Sequence, residues 1–236
     1  KYKFRLLNDN CHALGSTYNN STRYACKYAD IVTQSYHPVK NFTTAEGGAV
    51  LTNSKKYFDK IKHLISHGIE RNKNKYWMYD IKNLGYNYRL SEVHSALGVS
   101  QIKKLNKFVI RRQKIAKIYD SFFKDENYFK ILKNSKKSKS SYHLYTLVIN
   151  FKKFKITKDI FIKILNRKKI FPQVHYKPIH KLSLYSSIKG KFKNSEKFYD
   201  SAISLPLYYN LVENKCEYVA STIIKTLKQF KIWNMY

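Results

Sequence analysis

Three residues stand where chemistry could be done. Lys40 follows the stretch Ser35-Tyr36-His37-Pro38-Val39, and Gly47-Gly48 comes shortly after it. Proline fixes one backbone angle and the glycine pair permits a tight turn or a close approach, so this lysine sits in a loop with little freedom. A held amine can attack a carbonyl carbon and form a Schiff base, and burial would lower its pKa toward neutrality. Asp9 falls just past the carboxyl end of a predicted strand, where active groups of α/β sheets gather. Ser35 offers a hydroxyl at the end of another strand, which with backbone N–H groups makes a reasonable phosphate seat. Each has an ordinary reading too. Loop lysines are mostly solvated, turn aspartates cap their own turns, and strand-end serines bond their own loops.

The elements that would position these residues are short. The pattern predicts strands over residues 4–8, 29–36 and 48–52. Ser54 is a candidate cap for a helix carrying Phe58, Ile61, Leu64 and Ile65 on one face. Residues 68–88 have no clean period and read as a long loop, which in compact domains is often functional. Ser91-Glu92 predicts a second helix start, with Leu90, Val93 and Leu97 at helical spacing. Asn106 is the expected break before a third helix bearing Phe108, Ile115, Tyr119 and Phe122. The run Lys133–Ser141 reads as a surface connection. Beyond it the pattern predicts a strand over 142–151, a helix over 157–168, a strand over 170–176 and a short helix over 194–202. A final helical stripe runs through Cys216, Val219, Ala220, Ile223, Leu227 and Phe230. The whole is α/β, in two units meeting near residue 125.

Composition narrows the class. The 236 residues are 43% hydrophobic with 21 tyrosines, enough for a folded core. No apolar run approaches membrane-spanning length, and the opening residues carry no signal-peptide pattern. The three cysteines, Cys11, Cys26 and Cys216, are widely spaced and read as reduced thiols of a cytoplasmic protein. The net charge of +31 raises nucleic-acid binding. However, the basic residues divide into 39 lysines and 7 arginines, and they are spread along the chain. Arginine is the residue that grips phosphate bidentately. Its scarcity, beside abundant Asn, Ile, Tyr and Phe, points to compositional bias, and the expected partners include neither nucleic acid nor membrane. His63 and His67 stand at i, i+4, a zinc spacing, but without an adjacent Glu or an obvious third ligand, so no metal is expected.

Taken in order, the motifs combine. Asp9-x-x-His12-Ala13-Leu14-Gly15, Ser35-Tyr36-His37-Pro38-Val39-Lys40 and Thr44-Ala45-Glu46-Gly47-Gly48 together resemble the pyridoxal-phosphate sugar aminotransferases of the DegT/DnrJ/EryC1/StrS family. Gly85-Tyr86-Asn87-Tyr88-Arg89-Leu90-Ser91-Glu92, Ser95-Ala96-Leu97-Gly98 and Gln101-Ile102 continue the likeness. Tyr142-His143-Leu144-Tyr145 and Val174-His175-Tyr176-Lys177-Pro178-Ile179 look like the branch that aminates UDP-linked 4-keto-6-deoxy sugars on the way to pseudaminic acid.

The resemblance implies a PLP-dependent transferase of fold type I. Residues 1–125 would be the C-terminal portion of the large cofactor-binding domain, and 126–236 the small C-terminal α/β domain. Lys40 matches the Schiff-base lysine, and Asp9 the carboxylate that pairs with the pyridine nitrogen. His12 matches the position beside the ring and Ser35 a phosphate ligand. Asn87 matches a phosphate ligand given by the neighbouring subunit, which implies a homodimer with a shared site. His37, Arg89, His175 and Tyr176 are candidates for substrate contact. A lysine at position 40, where dehydratases of the family carry histidine, favours transamination. The implied substrates are a UDP-sugar acceptor and an amino-acid donor, glutamate by analogy. The family's amino-terminal half has no counterpart in this sequence. The chain is therefore expected to be the later part of a longer design, to need a separate N-terminal fragment, or to be a catalytically incomplete remnant.

Overall fold

A computed structural model describes residues 3–75 and 77–233, with the side chains of 231–233 outside the description. In chain order the first elements are β1 (Leu7–Asp9), β2 (Thr17–Tyr18), α1 (Tyr24–Tyr28), β3 (Ile31–Ser35), β4 (Gly48–Leu51) and α2 (Lys55–Leu64). Then come β5 (Ile69–Arg71), β6 (Tyr79–Ile81), α3 (Glu92–Ile102), α4 (Leu105–Phe123), β7 (Phe129–Ile131) and β8 (Ser138–Lys139). The chain closes with β9 (Tyr145–Ile149), α5 (Lys158–Arg167), α6 (Lys193–Ser201), β10 (Ala202–Leu205) and α7 (Glu213–Trp233). Among the described residues no helix is long and apolar enough to cross a membrane.

The chain divides into two compact units, residues 1–109 with 135–141, and residues 110–134 with 142–236. The change falls inside α4 rather than near residue 125, well ahead of the lysine- and serine-rich connection at residues 133–141. The reason is local pairing. β8 adds to β2, with Thr17 opposite Lys139, so the segment after β7 returns to the first unit.

In the first unit, β1 and β3 run parallel in register Leu7–Ile31 to Asp9–Thr33. β4 returns antiparallel on the other side of β3, with Gly48 opposite Ser35. A β-carbon on Gly48 would meet the Gln34 carbonyl oxygen at 2.6 Å, so only glycine lets the two strands close there. The caps anticipated from sequence are in place. The Ser54 hydroxyl accepts from the Tyr57 N–H to open α2, and the Ser91 hydroxyl accepts from the His94 N–H to open α3.

Two readings of this unit need correction. Residues 68–88 are not a plain loop, because they hold the antiparallel hairpin β5–β6, with Glu70 opposite Asp80. Its three-residue strands are too short and too polar to show a period of two. The break before α4 is a turn at Lys103–Lys104, and Asn106 lies within the first turn of α4.

The second unit packs α4, α5 and α7 with the antiparallel sheet β10–β9–β7 around one apolar core. Strand β9 alternates buried and half-buried residues, as a core-facing strand should. Thr157 caps α5 by accepting from the Ile160 N–H. The strand expected over 170–176 shrinks to one bridge, in which Gln173 and Ser204 exchange both backbone hydrogen bonds. Pro172 supplies no donor beside that bridge, so the ladder cannot extend. The strand that does form there is β10, a four-residue run buried throughout. The short helix expected over 194–202 stops at Ser201, where β10 begins.

Candidate active site

The site grows from the carboxyl ends of β1 and β3. β1 ends at Asp9, and the chain turns at once: the Cys11 N–H donates to Asp9 Oδ1 at 3.0 Å. The Cys11 thiol lies 3.8 Å from Thr33 Oγ1, on the strand residue paired with Asp9. The thiol and backbone N–H of Cys11 hold the Asp9 carboxyl below the usual carboxylate range, and the positive charges of His12 and Lys40 lower it further. Burial, and then the Asp9 carboxylate, push the Cys11 thiol up, so it stays protonated and keeps donating. The Asp9 carboxyl therefore favours its ionised form, with the Lys40 charge among the influences on it.

Lys40 is half-buried on the turn after β3. Its backbone N–H closes the turn onto the His37 carbonyl at 3.0 Å. The Ser35 hydroxyl accepts the His37 N–H at 3.5 Å, and His37 Nδ1 accepts the Val39 N–H at 3.5 Å. The strap behind the lysine is tightly bonded. Both the Thr44 N–H and the Thr43 hydroxyl donate to the Tyr36 carbonyl, and the Tyr36 N–H donates to the Gly47 carbonyl. Gly47 adopts φ +150°, and a β-carbon there would meet Thr44 Oγ1 at 2.5 Å and Leu90 Cδ1 at 2.8 Å. The glycine pair thus seals the loop that carries Lys40. The restraint anticipated from Pro38 and Gly47-Gly48 is built mostly from hydrogen bonds.

The other expected residues fall in three places. His12 is exposed on the Asp9 turn. Asn87 is exposed on the strap between β6 and α3, where it bridges Ser66, and Arg89 Nη1 reaches Ser66 Oγ at 3.4 Å. His175 and Tyr176 belong to the second unit, where His175 Nδ1 meets Ser204 Oγ at 2.9 Å and the two rings stand edge to face. His67 lies beyond the end of α2 at φ 61°, so it does not share a helical face with His63. Among the described residues no cluster of three or more metal-ligating side chains occurs. Sequence reasoning missed Cys11, Thr33 and Asn41. The only sequence signal for the first was its place two residues after an aspartate, the spacing of an Asx turn.

A model of the DegT/DnrJ/EryC1/StrS aminotransferase family matches residues 1–224. The chain belongs to that family. It is 39% identical over 234 residues to the UDP-4-amino-4,6-dideoxy-N-acetyl-beta-L-altrosamine transaminase of Helicobacter pylori, covering 98% of this chain and 61% of that protein. The solved structure of Helicobacter pylori PseC, an aminotransferase involved in the biosynthesis of pseudoaminic acid, superposes with a TM-score of 0.88 at 38% identity over 96% of this chain and 60% of that one. A putative sugar aminotransferase of Streptococcus pneumoniae, Spr1654, in its PMP-form gives a TM-score of 0.86 at 26% identity over 96% of this chain and 60% of that one. The same protein is also solved in a PLP-form. The fold is that of the fold-type I PLP-dependent transferases. The chain spans about 60% of the length of these DegT/DnrJ/EryC1/StrS relatives.

The residues present fit pyridoxal phosphate. A pyridine nitrogen that is to stay protonated needs a carboxylate that stays ionised, which is the condition imposed on Asp9. An aldehyde needs an amine on a restrained backbone, which Lys40 supplies. A phosphate needs donors at the end of a strand, available from the Ser35 hydroxyl and the turn that follows it.

Proposed function

We propose that this chain carries the lysine-bearing core of a PLP-dependent transaminase acting on a UDP-linked 4-keto-6-deoxy sugar, with glutamate as amino donor, in the synthesis of a pseudaminic-acid-type surface glycan. The observation that carries the reading is the placement of Asp9 at the end of β1 and of Lys40 on the hydrogen-bonded turn that follows the adjacent parallel strand β3. When bound, the cofactor would supply an electron sink for the carbanion formed beside the transferred nitrogen.

The chain's own residues divide the work. Asp9 holds a proton at the ring nitrogen because its own carboxyl resists protonation. Lys40 Nζ would hold the cofactor's aldehyde, and as a free amine it would carry a proton to or from the sugar C4 and the donor's α-carbon. Such a held acid–base group contributes roughly two to four powers of ten in rate. Ser35 Oγ would help hold the phosphate, and His12 would be among the residues beside the ring. His37, Arg89, His175 and Tyr176 are the side chains assigned to substrate contact, by likeness to the family. Asn87 serves the site of a second copy in a homodimer. The reducing cytoplasm suits a free thiol in hydrogen bond to the central carboxylate.

The test is direct. Purified protein mixed with pyridoxal phosphate should develop a visible absorption band, and borohydride should fix a phosphopyridoxyl group on Lys40, read by peptide mass spectrometry. Glutamate should then bleach the band, and a UDP-4-keto-6-deoxy sugar should restore it. Labelling spread over surface lysines with none at Lys40 would overturn the reading.

A further inference from the structure

Asn41, next to the lysine, is a buried polar side chain that the mechanism above leaves without a role. Only 5% of its surface is exposed. Its Nδ2 donates to the Leu14 carbonyl at 3.3 Å and to the Ser141 carbonyl at 3.4 Å, across sequence separations of 27 and 100 residues. Its Oδ1 is buried without a hydrogen-bond partner. Two carbonyls converge on the amide, so the nitrogen must face them: the flipped amide would set oxygen against oxygen. A buried acceptor left unpaired costs free energy, and its presence calls for an explanation. Here the two donors do something an apolar residue cannot. They tie the Lys40 loop to the end of the turn that begins at Asp9. Ser141, fully buried, is itself fixed to that turn, because its N–H donates to Ser16 Oγ at 3.0 Å and the two hydroxyls are also 3.0 Å apart. Gly15, between Leu14 and Ser16, has φ +85°, and a β-carbon on it would meet Val109 Cγ2 at 2.6 Å, so the anchor itself has little room to shift.

We infer that Asn41 is a positioning residue that sets the Lys40 amine relative to Asp9 by clasping the Leu14 and Ser141 carbonyls. The role rests on the proposed transaminase reading, but the clasp is measurable without it. Asn41→Ala removes both donors, and Asn41→Asp keeps the shape while placing a carboxylate against two carbonyls. Asn41→Ser, smaller and still a donor, serves should either fail to fold.

In free protein, amide exchange in residues 10–16 and 36–44 should rise together in the variants, and acylation of Lys40 by acetic anhydride should change severalfold. With pyridoxal phosphate, the pH midpoint of the Lys40-linked absorbance should move by about one unit. Turnover should fall roughly tenfold to a hundredfold with KM within about twofold, since a small misplacement of a reacting group weighs on the chemical step. Thr157→Ala, which uncaps α5 in the other unit, is the control for simple destabilisation. It should lower the melting temperature with the Lys40 acylation rate and pH midpoint unchanged. Folded Asn41 variants with wild-type exchange, acylation and midpoint would overturn the inference, as would equal changes in the Thr157 control. Should the wild-type chain take up no cofactor on Lys40, the transaminase reading fails, and exchange and acylation still decide the clasp.

Discussion

The second unit and the first are held together in different ways. Leu147, Ile149, Phe154, Phe161, Leu165, Ile223 and Leu227 of the second are wholly buried in one continuous core. In the first unit the buried residues around the site are largely polar: Asn10, Asn41, Thr44 and Ser141 stand beside Phe42 and Val32. Leu7, Val50 and Leu51 on its three-stranded sheet are exposed. A core of aliphatic and aromatic side chains stabilises by area removed from water and tolerates small shifts of its parts. A frame of directional hydrogen bonds stabilises less and specifies more, because each bond has a distance and an angle to satisfy. The unit that carries Asp9 and Lys40 is the one built by direction.

That contrast can be broken at several points. Lys40→Ala should give the largest effect: loss of at least about a thousandfold in transamination, with a melting temperature unchanged. A large fall in stability would mean that the lysine holds the fold as well as the chemistry. Phe161→Ala or Leu147→Ala should lower the unfolding free energy by about 3–5 kcal/mol in denaturant titration, while Lys40 labelling in the surviving folded fraction is retained. Gly15→Ala should cost about 1–3 kcal/mol, from the positive φ and the clash with Val109, and should also weaken cofactor uptake. If uptake were unaffected, the turn would not be part of the frame.

Cys11→Ala should give the smallest change, and it is a matter of pH. The folded carboxyl of Asp9 titrates below its ordinary range, so whatever it contributes is present above that range and is lost as pH falls through the folded value. Removing the thiol takes away its largest support. The acid limb of the rate profile should therefore move up in pH, with little change near neutrality. An unmoved limb would show that the backbone N–H suffices.

Much of the site could be read from sequence because its chemistry is local. Asp9 and Ser35 stand at the ends of strands that the residue pattern marks, Lys40 follows the second of them, and Ser54 and Ser91 cap the helices they precede. What escaped was made by partners far apart in the chain. Nothing around Asn41 points to Leu14 or Ser141. The four residues of β10 are too few to show a period, and residues 170–176 look like a strand until Pro172 is set against the Gln173–Ser204 bridge. The hairpin β5–β6 is paired through its backbone and closed by turn bonds to Asn72, none of which follows from hydrophobic spacing.

The return of residues 135–141 to the first unit also orders events during synthesis. A loop closed across 100 or 125 residues is formed late, because chain entropy opposes it until both ends exist. While the ribosome is still making α4, the peptide around Lys40 has its local turn but neither Ser141 carbonyl nor Ser16–Ser141 latch. The Lys40 loop gains its last anchors only after residue 141 has emerged, so a nascent chain stalled before that point should carry Lys40 more exposed than the finished fold does.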